Sequence, residues 1–325
     1  MNSSNINEFL TEMNLMASKG NPFLFIIDYE LNTGILLPLE ACAENGIFYD
    51  IEGDSNFNYS ANKSKISITP NPIPFPEYQK SFKFIQDQIH AGNSYLTNLT
   101  VSTPVTVNSN FLEIFQSSKA PYKLLYKDQF LVFSPECFVK ISNGKIMTFP
   151  MKGTIDANLK EAEKTLLEDT KETAEHATIV DLLRNDLSRV AKNVVVEKYR
   201  YIDKINTSGK SLLQMSSLIS GDLPPDYHSK LADILFEILP AGSICGAPKK
   251  ATLQIISKAE THKRGFYTGI FGIFNGNALN SGVMIRFLEN QNGKIVYKSG
   301  GGITSQSNAQ QEYQELIDKI YVPID

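Results

Sequence analysis

Two of the Asn-Gly pairs, Asn143-Gly144 and Asn292-Gly293, each stand between runs of strand-forming residues, and they restrict the fold more than any other feature. Asn-Gly tolerates positive φ at both positions of a two-residue loop, which matches the twist of an antiparallel hairpin. Phe138 to Ser142 alternates before the first pair and Lys145 to Thr148 returns after it, so one hairpin is predicted there. Val283 to Phe287 and Ile295 to Lys298 predict a second around the other pair. Short strand-like runs dominate Ser94 to Thr148, and a long charge-rich helical region follows from Asn158 to about Ala191. Antiparallel sheets covered by helices suit this order better than repeated βαβ units.

The remaining elements follow from periodicity and breakers. Phe9, Met13 and Met16 recur at helical spacing before Gly20-Asn21-Pro22, and Phe23 to Tyr29 reads as a buried strand. Pro70, Pro72, Pro74 and Pro76 predict a connector, so residues 1–76 are expected to form an N-terminal layer and 77–325 the intertwined body. Tyr78, Phe82, Ile85 and Ile89 mark one face of a helix ending at Ala91-Gly92-Asn93. Further helices are predicted over Ser229 to Leu239, after Pro248, and over Ala309 to Tyr321.

Composition narrows the function. The 325 residues are 42% hydrophobic and 20% charged with a net charge of -4, which speaks against nucleic acid or an acidic membrane as partner and favours a small molecule. Cys42, Cys137 and Cys245 have no metal-type spacing, and the four histidines are dispersed, so neither a disulfide framework nor a zinc site is supported. Met1 to Gly20 lacks the basic start and apolar run of a secretory signal, and no apolar stretch approaches the roughly 20 residues of a membrane span. A cytoplasmic protein is the expectation.

Lys152 is the only charge in Phe149-Pro150-Met151-Lys152-Gly153-Thr154 and is expected at a strand end, beside a glycine-permitted bend. Partial withdrawal from water would make its amine lose charge more readily than a surface lysine of pKa about 10.4, and only the neutral amine is nucleophilic. Pro240 through Lys249 is a small-residue loop with Pro248 at an expected first helical position, a plausible cradle for a carboxylate or phosphate with Lys249 beside it. Gly300-Gly301-Gly302 suggests close backbone approach in a turn after a strand. Glu136 is flanked by strand residues, where a carboxyl could stay protonated as a general acid. Glu312 and Glu315 share a helix face, and Glu175 lies where a helix turns apolar, so these carboxylates could bind a hard cation or could be solvated. Arg286 is read as an isolated cation inside an apolar strand, in need of an anion.

Ser134-Pro135-Glu136, Pro150 through Thr154, Ile179 through Val190, Pro240 through Lys249, Ile285-Arg286, Gly300 through Ile303 and Glu312 through Lys319 together resemble the chorismate-utilising enzymes, and most the component I branch of aminodeoxychorismate synthases. The resemblance implies an α/β sandwich of two antiparallel sheets with helices outside. By position it implies Glu136 as the acid protonating the C4 hydroxyl of chorismate and Lys152 as the nucleophile at C2. It implies Mg²⁺ held by Glu175 and Glu315 with Glu312 close by. It also implies a substrate grip from Gly153, Thr154, Gly242, Ser243, Gly246, Ala247, Lys249, Tyr267, Arg286, Gly301, Gly302 and Lys319. Ammonia from a separate glutamine amidotransferase subunit would complete the reaction, giving 4-amino-4-deoxychorismate on the route to p-aminobenzoate and folate.

Within the family Lys152 is the dividing residue. Anthranilate synthases typically carry Ala there, and isochorismate and salicylate synthases use a lysine from an earlier strand. Tyr95 to Thr100 matches that strand and contains no lysine. Gln214 stands where relatives usually have a histidine, Asn280-Ser281-Gly282 replaces Asp-Thr-Ser, and Ala241 replaces a glycine. No tryptophan regulation is expected, because the matching N-terminal region is short.

Overall fold

The computed structural model describes residues 4–60, 65–207 and 210–324. Among these, the strands form a ten-stranded and a nine-stranded sheet, and every strand pair is antiparallel. Both Asn-Gly turns form as expected, with Asn143 at φ 51° and Gly144 at 73°, and Asn292 at 54° and Gly293 at 88°. The first joins Cys137–Ser142 to Lys145–Thr148. The second joins Phe287–Gln291 to Lys294–Ile303, so its first strand begins four residues later than Val283. The extra residues carry the chain from one sheet to the other.

Phe23–Ile27 shows how the layers are built, because all five residues are buried. Alternate residues of a strand face opposite sides. Phe23, Phe25 and Ile27 pack with Phe9 and Met13 of helix Ile6–Ser18 and with Leu231 and Leu235 of helix Leu231–Ile238. Leu24 and Ile26 pack with Leu124, Val132 and Phe287 of the other sheet. The outer face of that second sheet meets helix Phe111–Ser117 through Leu125, Leu131 and Phe133. Tyr78, Phe82, Ile85 and Ile89 of helix Phe75–His90 pack against helices Lys249–Ala259 and Ala309–Asp318. The result is the expected sandwich of two sheets with helices outside.

Several boundaries differ from expectation for local reasons. The described residues up to 76 are threaded into both sheets, with Phe23–Ile27 and Thr33–Pro38 in the first and Ile47–Ile51 in the second. The proline cluster is not purely a connector: Pro70 ends a short edge strand and Pro76 sits in the first turn of a helix, both places that need no backbone N–H. The charge-rich helical region is two helices, Ala162–Glu168 and Thr170–Ser188, broken at Asp169, whose side chain caps the second by accepting from Glu172 N–H. Pro248 caps its helix rather than occupying its first position.

The wall between sheet and helix near Leu96–Val107 is held by a buried ion pair. Arg264 is 1% exposed and donates to both carboxylate oxygens of Glu260 at 2.7 and 2.9 Å, to Ile244 C=O at 2.8 Å and to Asn98 C=O at 2.9 Å. Glu260 in turn accepts from the Thr100 backbone and hydroxyl at 2.9 and 2.8 Å. Breaking such a pair from one side leaves a buried charge without compensation. Arg264→Met should therefore lower stability by roughly 3–5 kcal/mol in chemical denaturation. A loss below about 1 kcal/mol, the range of an exposed pair, would show that the network does not hold this wall.

Candidate active site

The chain changes sheets twice at one place. Phe130–Ser134 belongs to the second sheet and Cys137–Ser142 to the first, with Pro135 and Glu136 between them. Leu279–Val283 and Phe287–Gln291 make the reverse crossing through Met284, Ile285 and Arg286. The crossings hold one another: Val283 N–H donates to Glu136 C=O at 3.1 Å, and Phe133 N–H donates to Arg286 C=O at 3.2 Å. Where the sheets part, a cavity of about 660 Å³ opens. Arg286 is thus not within a strand as expected; it takes a left-handed φ of 54° at the crossing.

Glu136, Lys152, Gly153, Glu175, Ser243, Gly246, Tyr267, Arg286, Gly301, Gly302, Glu315 and Lys319 all line this cavity. Glu136 accepts from Ser243 Oγ at 2.5 Å; burial raises its pKa, opposed by that bond and by the Arg286 charge. Arg286 has a buried Nε with no hydrogen-bond partner. Lys319 donates to Gly300 C=O at 3.0 Å and pairs with Glu315 at 2.7 Å. Burial lowers the Lys319 pKa, and the Arg286 and Lys152 charges push the same way. These cations are therefore near enough to repel one another, which suits a ligand with more than one negative charge.

Lys152 corrects an expectation. It is the second residue of strand Met151–Asp156, followed by a bulge at Gly153, where φ is 76°. Its Nζ lies 2.7 Å from Glu175 on helix Thr170–Ser188. Burial does pull its pKa down, but Glu175, with Glu172 and Glu315 adding to it, outweighs burial and the net shift is upward. The amine is held as an ammonium rather than released. Glu175 also lies 3.8 Å from Lys171, another residue of the cavity.

Gly300-Gly301-Gly302 is not a turn after a strand; it continues strand Lys294–Ile303 and pairs with Thr100, Leu99 and Asn98. A Cβ on Gly301 would stand 3.5 Å from Glu312 Oε2 and 3.7 Å from Lys319 Nζ, so Glu312 lies on the same side of this strand as Lys319, close to the cavity but outside its lining. Gly246 has φ 121°, and a Cβ there would stand 1.8 Å from Leu96 O, so only glycine fits between that strand and the cavity.

Four other residues of the expected grip lie elsewhere. Lys249 donates to Asp186 at 2.7 Å and to Ile238 C=O at 2.9 Å, which ties its helix to helix Thr170–Ser188 and uses up its charge. Gly242 packs on Asp186, whose Oδ2 would be 2.9 Å from an added Cβ. Ala247 pairs with Leu96, and Thr154 is exposed on the strand beyond the bulge. Cys245 is buried, and burial pushes its thiol up to about 11. Sequence reasoning did not single out Asn98, Thr178, Thr304, Ser305 or Gln306, which also line the cavity. Asn98 alone had a signal, because strand alternation turns it to the same side as Leu96, itself in the lining.

No helix among the described residues is long and apolar enough to cross a membrane. Residues 41–325 match the profile of the chorismate binding enzyme family. An uncharacterized PabA-like protein of Haemophilus influenzae is 49% identical over 100% of this chain and 99% of its own length. Aminodeoxychorismate synthase component 1 of Escherichia coli is 33% identical over 75% of this chain, and the match spans only 56% of that protein. The solved structure of anthranilate synthase component I from Streptococcus pneumoniae superposes with a TM-score of 0.67 at 29% identity, covering 79% of this chain and 59% of that one. Matched by the family profile over most of its length, this chain belongs to the chorismate binding enzyme family.

Proposed function

We propose that this chain is the component I activity of an aminodeoxychorismate synthase, converting chorismate and ammonia to 4-amino-4-deoxychorismate. The observation that carries the reading is Lys152, a primary amine in the same cavity as Glu136, whose pKa burial raises, and the cations Arg286 and Lys319. Arg286 and Lys319 take the two carboxylates of chorismate, and the unpartnered Nε of Arg286 gains a partner on binding. Lys152 Nζ attacks C2 as the C4–O bond breaks, and Glu136 gives its proton to the departing hydroxyl, which leaves as water. Lys152 enters as the neutral amine, its ammonium proton having passed to Glu175 at 2.7 Å, and the proton its nitrogen sheds on forming the C2–N bond goes to water and is returned when that bond breaks. Ammonia then adds at C4, the double bond shifts back, and Lys152 leaves C2 as the amine. The enolpyruvyl side chain is retained throughout.

Two carboxylates, Glu175 and Glu315, line the cavity and offer hard oxygen donors, which fits Mg²⁺. No three His, Cys, Asp or Glu side chains among the described residues form a cage, so substrate oxygens and water would complete the shell. When bound, the ion would neutralise and hold a substrate carboxylate. Because Glu175 is the main charge raising the Lys152 pKa, a partner that draws Glu175 away would bring that pKa down and make the amine easier to deprotonate. A separate glutaminase subunit is the proposed ammonia source, supported by the component 1 naming of a relative.

Anthranilate synthase component I is the second reading, favoured by the solved structure at 29% identity. An amine at position 152 argues against it, since that reaction has no use for a covalent nucleophile there.

Product analysis with chorismate, ammonium and Mg²⁺ separates these readings. An amine that becomes p-aminobenzoate only when a lyase is added is expected; anthranilate with pyruvate would replace the first reading by the second. Lys152→Ala should abolish amination from ammonia, and unchanged turnover would exclude the covalent route. Glu315→Ala should raise the Mg²⁺ concentration needed for half-maximal rate, and an unaltered requirement would remove Glu315 from the metal site. Glu175→Gln should shift labelling of Lys152 by an amine-selective reagent, followed by mass spectrometry, to lower pH. The sign follows from removing the carboxylate that raises the pKa while burial, which lowers it, remains.

A further inference from the structure

We propose that Ser243 is a positioning residue for the general acid: its hydroxyl occupies one oxygen of Glu136, so that the transferable proton sits on the other. The inference rests on the reading of Glu136 as that acid. Ser243 stands on the one-turn helix Gly242–Cys245, opposite the crossing that carries Glu136, and its Oγ donates to Glu136 Oε1 at 2.5 Å. A protonated carboxyl has one donor O–H and one carbonyl-like oxygen. With Oε1 taken as acceptor, the O–H belongs on Oε2.

The backbone on both sides is fixed. Glu136 N–H donates to Ser134 Oγ at 3.0 Å and Glu136 C=O accepts from Val283 N–H at 3.1 Å, while Ile244 C=O, next to Ser243, is held by Arg264 at 2.8 Å. Two rigid elements thus present the hydroxyl and the carboxyl to each other, which is how a proton donor is aimed without relying on substrate. The bond also tunes acid strength. Burial raises the Glu136 pKa, and Ser243 is the larger of the two influences that bring it back, Arg286 being the other. Tyr267, buried and held well above its usual range, and Cys137, pushed up to about 12, also feel the Glu136 charge and stay neutral at working pH.

Without Ser243 the acid would hold its proton more firmly, with only the Arg286 charge opposing burial, and would be free to rotate. Ser243 therefore acts through Glu136, not on the substrate.

The test is the steady-state pH profile of Ser243→Ala, Ser243→Thr and Glu136→Gln with chorismate, ammonium and Mg²⁺. Ser243→Ala should lower kcat roughly 10- to 100-fold with little change in KM for chorismate. The limb on which activity falls as pH rises should move to higher pH, because the removed bond favoured the carboxylate. Ser243→Thr, which keeps the hydroxyl, should restore most of kcat and the limb. Adding Ser243→Ala to Glu136→Gln should cost nothing further. A Ser243→Ala enzyme with normal kcat and an unmoved limb, or with only a raised KM, would overturn the proposal while Glu136→Gln remains inactive. A fully active Glu136→Gln enzyme would instead sink the general-acid reading, and the proposal with it.

Discussion

Two backbone hydrogen bonds, from Val283 N–H to Glu136 C=O and from Phe133 N–H to Arg286 C=O, hold together the places where the chain leaves one sheet for the other. Adjacent antiparallel strands that swap sheets in opposite directions must part at that point, and the gap cannot be closed by strand pairing. The core between the sheets, with Phe130, Phe271 and Phe287, packs up to the seam. Beyond it, the backbone lacks sheet neighbours and its side chains face a cavity. Glu136 and Arg286 are what those side chains are. Arg286 takes a left-handed φ of 54° to do so, a conformation that costs a non-glycine residue of order 1–3 kcal/mol. A fold that tolerates such a residue at its seam has placed a constraint there that packing alone would remove.

The charges around the seam are close to balanced. Lys152 is paired with Glu175 and Lys319 with Glu315, while burial and the neighbouring carboxylates raise the pKa values of Glu172 and Glu312. These two lysines therefore each already have an internal anion, which is what allows them to stand in one half-buried place. The arrangement can be exchanged for another without leaving a bare charge. A dianionic ligand that takes over Arg286 and Lys319 sets Glu315 free, and the same logic links Lys152 to Glu175.

Much of this was visible in the sequence because it is local. Asn143-Gly144 and Asn292-Gly293 fix hairpins through their own dihedrals, and Tyr78, Phe82, Ile85 and Ile89 fix a helix face through their spacing. What could not be read depends on partners distant in the chain. Gly300 to Gly302 looked like a loop because glycine weakens strands, yet pairing with Asn98 to Thr100 keeps them extended. Lys249 looked like a substrate contact because it stands beside a small-residue loop at a helix start, but Asp186 reaches it from another helix. Lys152 was expected to lose charge more readily on burial grounds, and the outcome turned on Glu175, which lies 23 positions along the chain by difference of their numbers. Desolvation can be guessed from a sequence pattern; the sign of a pKa shift needs the neighbouring charge.

The same contrast separates cations that serve the fold from those that serve a ligand. Arg264 spends its donors on Glu260, Ile244 C=O and Asn98 C=O. Lys298 is 2% exposed and meets Glu289 at 2.8 Å as well as the carbonyls of Lys263 and Arg264. Lys123, 3% exposed, donates to the carbonyls of Phe115 and Ser118. Each is fully engaged by groups that do not move. Arg286 is different: its side chain meets Tyr321, whose ring centre lies 5.4 Å from the guanidinium carbon, but its buried Nε has no partner. A buried guanidinium donor left unpaired costs free energy that the fold could recover by any small repacking. That it is retained at the seam, facing the cavity, is the physical reason to read Arg286 as a ligand-binding cation rather than a structural one.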